Sequence, residues 1–323
     1  KIRSLKEKIN LISDLNKNKL EIATLEREIT LLHAKTVDLI TKKNKIDKSK
    51  IDLIGFHGHT IFHNFAEKKT IQIGDGKLLA QLTNSNVVNN FRENDINNGG
   101  QGAPLVPIFH KLLQNKLDLK KPILIVNIGG ISNVTYIGQE KEIVSLDTGP
   151  GNCLIDKILQ LKSKNKKQFD KNGAIAFSGS IDKNILESYL NDPYYDSLPP
   201  KSLDINDFSI SPLRSLSLED SVSTLSELTA LTIVNSLSFF SVKPKKIILC
   251  GGGRKNKYIF ERIKQLSNIP TNNIDEYNIN GDFIESQAFA YLAIRSFLKK
   301  HISFPETTGV SRPSTGGVFI KFK

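Results

Sequence analysis

Methionine is absent from these 323 residues, and cysteine occurs only twice, as Cys153 and Cys250. Two thiols cannot make a disulfide framework or a four-cysteine zinc site, so secreted disulfide scaffolds and zinc modules are excluded and a reducing cytoplasm fits best. No apolar run approaches the roughly 18 residues that a spanning helix needs, and no membrane partner is expected. The opening segment from Lys1 has neither the apolar core of a signal peptide nor the Arg and Ser character of a transit peptide. With no methionine, the sequence reads as a fragment. Arginine is scarce as well: eight residues against 37 lysines, in a chain of formal net charge +12. A basic balance raises the question of nucleic acid. Base and phosphate readout, however, normally uses arginine's bidentate fork. The lysines fall in scattered runs such as 42–50 and 162–167, which read as solvated faces, so no nucleic-acid partner is expected.

What is present is the material of a soluble α/β protein, 39% hydrophobic and 24% charged and long enough for two cores. Leu5, Ile9, Ile12, Leu15 and Leu20, then Leu25, Ile29 and Leu32, recur at helical spacing. The spacing drifts after Leu20 and 30–33 break the seam, which favours helices packed on a domain over a coiled coil. From residue 51 the period changes, predicting strands over 51–56, 60–65, 70–73 and 87–91, then a helix over 102–115 with Pro104 in its first turn. Further strands are expected over 123–127, 132–137, 142–146 and 245–250, alternating with helices over 151–161, 182–190, 224–240, 256–266 and 285–299. The stretch 198–219, rich in Ser, Pro and Asp, reads as a partly ordered connection.

Three segments carry chemistry. In VSLDTGPGN, 144–152, a buried strand is expected to end in Asp147 beside Gly149, Gly151 and Asn152, which sets a carboxylate next to backbone N–H groups able to cradle a phosphate. Asp147 as a simple helix cap explains the same pattern equally well. In IILCGGGRKN, 247–256, Gly251, Gly252 and Gly253 between strand and helix allow a flat ligand close to the backbone, and Asn256 can cap that helix while bonding a nucleotide. A tight strand-to-helix turn is the alternative. In FRENDINNGGQGAPLVP, 91–107, Arg92 and Asp95 can hold a polyhydroxy or carboxylate-bearing substrate while Gly99, Gly100 and Gly102 leave room for it, or they can pair with one another. His57, His59 and His63 look like metal ligands, but no nearby carboxylate set completes a zinc site. Substrate hydrogen bonding and plain structural roles stay open for them.

Taken together these segments resemble one family, the anhydro-N-acetylmuramic acid kinases of the sugar kinase, heat-shock ATPase and actin superfamily. IDLIGFHGHT, TIQIGDGKLLA, VVNNFRENDINNGGQGAPLVP, VNIGGISNVT, DTGPGN, KNGAIAFSG, TLSELTA, CGGGRKN, ESQAFAYLA and GVSRPS match its blocks in order. The resemblance implies two ribonuclease-H-like domains with a cleft between them: a sugar-binding domain over 1–122 completed by 298–323, and a nucleotide-binding domain over 123–297. It implies ATP and Mg2+, an amino sugar as the other small-molecule partner, no metal held by side chains alone, and a homodimer as one assembly. The reaction implied is hydrolytic opening of the 1,6-anhydro bridge with phosphorylation of O6, giving N-acetylmuramic acid 6-phosphate in peptidoglycan recycling.

By the same resemblance Asp147 matches the general base for water and Glu285 a second acidic residue. Arg92 matches a substrate-contacting arginine, grouped with His57, Asp95, Gly100 and Gln101, and Gly149, Gly151, Asn152, Gly251, Gly252, Gly253 and Asn256 match the nucleotide side. Three departures stand out. His59 occupies a position where the family usually has glutamine, Arg254 replaces a small residue, and the family's amino-terminal phosphate loop, Gly-Thr-Ser-x-Asp-Gly, is not among these residues. On that last ground the first strands of the amino-terminal sheet are expected to be missing, and a truncated relative that binds nucleotide or sugar without turnover is the second reading.

Overall fold

Leu5, Ile9, Leu25, Ile29 and Ala34, the apolar stripe of the first forty residues, are all buried against Phe56, Ile61 and Leu79. In the computed structural model, which describes residues 1–9, 11–64, 67–140 and 142–322, the stripe lies on α1 (Ile2–Lys8) and its C-cap Ile9, and on α3 (Lys19–Lys43), whereas α2 (Ile12–Lys17) between them buries none of its residues. The helices therefore pack on a domain, as their drifting period predicts. The chain divides into two compact units, Lys1–Phe109 with Ser286–Lys323, and His110–Glu285.

In the first unit β1 (Leu53–Phe56) lies parallel to β4 (Asn86–Asn89), and β2 (His59–Asn64) forms a hairpin with β3 (Lys69–Ile73). Phe65, expected as the last residue of a strand, lies outside the described residues. Between β3 and β4 runs α4 (Gly76–Thr83), which the sequence reading passes over, capped by the Asp75 carboxylate on the amides of Lys77 and Leu78. α5 (Glu93–Asn97) follows, and then α6 (Pro107–Lys116). The latter starts five residues later than the expected 102, because Gly102 holds φ at +75°, outside the helical region, in a loop whose amides bond Asp95 and Thr308.

The second unit holds β5 (Ile123–Ile128), β6 (Ile131–Ile137), β7 (Ile143–Pro150), α7 (Cys153–Lys162), α8 (Lys183–Leu190), α9 (Leu218–Asn235), β8 (Lys246–Cys250), α10 (Lys257–Ser267) and β9 (Thr271–Asn273). The strand order is β7-β6-β5-β8-β9. The first three run as an antiparallel meander, whereas β8 and β9 lie parallel to β5 and to each other. That is the ribonuclease-H-like order. Leu124, Val126 and Ile128 of β5 share a core with Leu154 and Ile158 of α7 and with Leu225 and Leu228 of α9. Ile123 and Ile125, on the opposite face, are buried as well, which explains a strand read as one continuous apolar run.

Two expectations need correction here. β7 continues through Pro150 rather than ending in the turn, because β6 goes on pairing at Ser132 with Gly149 and at Ile131 with Pro150. The shift of register between Ser132 and Asn133 is a bulge in β7 at this point. Residues 198–219, expected as a partly ordered connection, carry defined structure: Leu213 is wholly buried, Ile205–Asp207 and Ser211–Leu213 form 3-10 turns, and Ser217 caps α9. α11 (Ile284–Phe297), α12 (Pro305–Thr308) and β10 (Val318–Ile320) complete the chain, β10 pairing antiparallel with β4. The units divide inside α6 and α11, whereas the sequence reading sets its boundaries after 122 and 297.

Candidate active site

Asp147 sits inside the edge strand β7 and is only 7% exposed. Its Oδ2 accepts the Leu203 N–H at 2.8 Å, its own N–H donates to the Lys201 carbonyl at 3.0 Å, and its carbonyl accepts the Tyr194 hydroxyl at 2.6 Å. The chain from 194 to 203 therefore covers the edge of the sheet beside this carboxylate. Burial, with the Asp147 charge next to it, pushes the Tyr194 phenol far above its ordinary range, so Tyr194 is a donor at every physiological pH.

Three glycine-bearing turns meet beyond the strand ends. The amides of Gly151 and Asn152 donate to the carbonyls of Gly130 and Gly129 at 2.9 and 2.8 Å. The Asn152 side chain, preceding α7, turns back to the carbonyls of Ile128 and Gly129 at 3.2 and 3.0 Å. The Thr229 hydroxyl of α9 donates to the Pro150 carbonyl at 2.9 Å. Sequence reasoning assigns no role to Gly129, Gly130 or Thr229. A glycine pair between two strand runs is a detectable signal, whereas a threonine within a helix is not.

The glycines differ in what a side chain would meet. A Cβ on Gly151 would lie 2.4 Å from the Gly129 carbonyl oxygen, one on Gly253 would lie 2.2 Å from Ile128 Cγ2, and one on Gly251 would lie 2.4 Å from Asn127 Oδ1. Gly251 also holds φ at +76°. At Gly149 the obstacle is Thr232, 2.8 Å away. Gly252 alone of the triplet has nothing within 4 Å. The protein itself accounts for every other glycine of this set, whereas no neighbouring atom requires a bare backbone at Gly252.

Arg254 fastens the same turn. It is 3% exposed, it holds Asp275 with two hydrogen bonds, and Nη1 reaches both Asp282 at 2.9 Å and the Gly251 carbonyl at 2.9 Å. The guanidinium holds the Asp275 carboxyl down at about 2. The departure from a small residue is thus matched by two carboxylates. Asn256 caps α10 through Ile259 N–H at 3.3 Å. Glu285 is exposed at the start of α11, near enough to Cys250 for its charge to raise that thiol, which burial already pushes up to about 12. Burial likewise takes Cys153 to about 12, so neither cysteine supplies a thiolate.

In the first unit the Arg92 Nε–H donates to His57 Nε2 at 3.0 Å, and the other ring nitrogen, Nδ1, faces the Gly58 carbonyl at 3.2 Å. Burial and the Arg92 charge push His57 down to about 3, so its imidazole is neutral and Nε2 is an acceptor. Asp95 is 1% exposed; Oδ2 accepts Gly102 N–H at 2.6 Å and Oδ1 accepts the Thr308 hydroxyl at 2.6 Å. Gln101 N–H donates to the Thr308 carbonyl at 2.7 Å, and Gly100 is packed so that a Cβ would strike the Asp95 carboxylate at 2.2 Å. Asp95 thus organises the glycine loop, and Thr308, 213 residues away, is a partner that no local pattern announces. His59 begins β2 and is exposed, and among the described residues no group of three or more His, Cys, Asp or Glu is placed to hold a metal.

The family model described as anhydro-N-acetylmuramic acid kinase matches residues 2–321. A protein of Pelagibacter ubique (strain HTCC1062) named anhydro-N-acetylmuramic acid kinase is 49% identical over 98% of this chain and 86% of its own length. One of the same name from Zymomonas mobilis is 42% identical over 90% of this chain and 79% of its own. Among solved structures, ligand-bound xylulose kinase from Lactobacillus acidophilus is similar over 59% of this chain and 42% of that one, at 11% identity and a TM-score of 0.36.

Proposed function

The chain belongs to the anhydro-N-acetylmuramic acid kinase family, and we propose that it uses ATP to convert 1,6-anhydro-N-acetylmuramic acid to N-acetylmuramic acid 6-phosphate. Asp147 takes a proton from the water that attacks the anomeric carbon. The anhydro bridge opens at that carbon, and the O6 so released receives the γ-phosphoryl group. The observation that carries this reading is the Asp147 carboxylate itself, nearly buried in an edge strand, one oxygen fixed by Leu203 N–H and a glycine turn two residues on. A general base needs a held orientation before it needs a tuned pKa.

The turn of Gly149, Gly151 and Asn152 and the triplet around Gly252 form the nucleotide side, where bare backbone suits a close-lying phosphate or base. Asn256 supports the triplet from the head of α10. His57, Arg92, Asp95, Gly100 and Gln101 form the sugar side: Arg92 offers a fork to the lactyl carboxylate, and His57 and Asp95 hold the fork and the loop in place. Glu285 is the second acidic residue. When bound with the nucleotide, magnesium would supply neutralisation of charge on the phosphates of the transferred group, and the exposed Glu285 would be the acidic side chain for its water shell. The place of action is the cytoplasm, in peptidoglycan recycling.

Incubating the chain with ATP, magnesium and the anhydro sugar and following sugar 6-phosphate by mass spectrometry tests the proposal. Stoichiometric ADP and sugar phosphate are expected, and ADP formation unaffected by the sugar would refute it.

A further inference from the structure

Residues 193–204 present three groups that bond Asp147, and the turn among them is capped locally: the Asp192 carboxylate accepts the Tyr194 N–H at 2.9 Å and the Ser197 hydroxyl donates to the Tyr194 carbonyl at 2.6 Å. Asp196, Ser197 and Leu198 are exposed. Next to the segment lies a cavity of about 170 Å3, lined by Leu146, Thr148, Tyr195, Lys201, Thr232 and Phe239 among others. Dense apolar packing therefore does not fix its shape. One side chain joins that turn to the residues that follow it. Lys201 is 7% exposed, and Nζ donates to the carbonyls of Tyr194 at 2.9 Å and Tyr195 at 3.0 Å. It lies over the rings of Tyr194, at 4.6 Å, and Phe239, at 4.4 Å. The ammonium thus bonds the turn that carries the Tyr194 hydroxyl to the strand-like piece that carries Leu203 N–H.

We propose that Lys201 is a positioning residue for Asp147, closing the 193–204 segment so that Leu203 N–H and the Tyr194 hydroxyl meet the Asp147 carboxylate and carbonyl in one geometry. This rests on reading Asp147 as the base. Lys201 acts through the segment. Burial lowers its pKa to about 8, opposed by Asp196, so it is still mostly protonated at neutral pH and keeps its donors. A backbone N–H donated to a carboxylate favours the charged form, so loosening the segment raises the pKa of that carboxylate.

The test compares Lys201→Met, which keeps the stem and removes charge and donors, with Lys201→Arg and Tyr194→Phe, each assayed with ATP and the anhydro sugar across pH. Lys201→Met is expected to lower kcat by about ten- to a hundredfold, short of the loss of a whole general base, with KM for ATP within about twofold. The acid limb of its kcat/KM profile should move to higher pH. Lys201→Arg should recover most of the rate, and Tyr194→Phe, a milder change that leaves the segment's backbone intact, should lose about threefold in kcat. Unchanged kcat and acid limb in Lys201→Met would overturn the proposal. So would equal losses in kcat and ATP binding with a lowered melting temperature and an unmoved limb. Asp147→Asn runs in parallel. If it stays active, the base reading fails and this inference with it; if it is inactive while Lys201→Met matches wild type, only the positioning role fails.

Discussion

Asp95 and Gly253 hold their loops by different means. In the first unit a buried carboxylate gathers Gly102 N–H and the Thr308 hydroxyl, and an arginine is oriented by a neutral histidine. In the second unit the loops approach so closely that side chains are excluded: Gly151 against the Gly129 carbonyl, Gly253 against Ile128. Side chains fasten both, but in the second unit the close approach of backbone at Gly151 and of Ile128 at Gly253 adds a constraint that Asp95 does not impose on Gly102. The first should therefore be fragile to deletion and the second to addition as well. A sugar with many hydroxyls calls for side-chain donors and acceptors, and a phosphate chain for bare amides, so the contrast suits the two substrates.

The largest effect should come from Asp95→Ala. It strands two buried donors, each worth about 1–3 kcal/mol, and chemical denaturation should show a loss near the sum. A loss smaller than about 0.5 kcal/mol would mean that the loop does not depend on Asp95. Adding a methyl in the second unit comes next. Gly151→Ala and Gly253→Ala should each cost about 1–3 kcal/mol by overpacking. Gly252→Ala sharpens the contrast, since nothing in the protein lies within 4 Å of the added carbon. Its melting temperature should stay at the wild-type value while KM for ATP rises and KM for the sugar does not. Equal stability losses at 252 and 253 would break the distinction between a closed and an open glycine.

The last expected effect is one of pH, and it grows as the solution is acidified. Burial holds both His57, in the first unit, and His110, in the second, down to about 3. An unfolded chain takes up those protons near pH 6.5. Their contribution is therefore complete above about pH 6.5 and is lost as pH falls from there toward 3. Melting temperatures measured across that window should fall less steeply for His57→Gln and for His110→Gln than for wild type. His110 donates to or accepts from Thr135 at 2.8 Å within its own unit, so each substitution should flatten the slope independently of the other.

The sequence made some of this legible and hid the rest for identifiable reasons. The run 123–128 announces a doubly covered strand because every one of its residues but Asn127 is apolar. The carboxylate of Asp147 beside a glycine turn is visible too. That β7 continues three residues beyond it is not, since this depends on Ser132 and Ile131 across the ladder. The sequence puts Gly251, Gly252 and Gly253 on one footing, and only their neighbours separate them. Lys201 escapes any pattern because its partners are carbonyls and ring faces in a stretch without periodicity. Asp95 reads as a ligand for substrate, while its bond to Thr308 from the far end of the chain has no local signature.

The most direct test of the account replaces Asp147 by asparagine, which keeps size and removes proton-accepting ability. With ATP, magnesium and the anhydro sugar, the initial rate of sugar 6-phosphate formation should fall at least about a hundredfold while ADP affinity stays within about twofold. A variant that keeps more than about a tenth of the wild-type rate would contradict the assignment of Asp147 as the base.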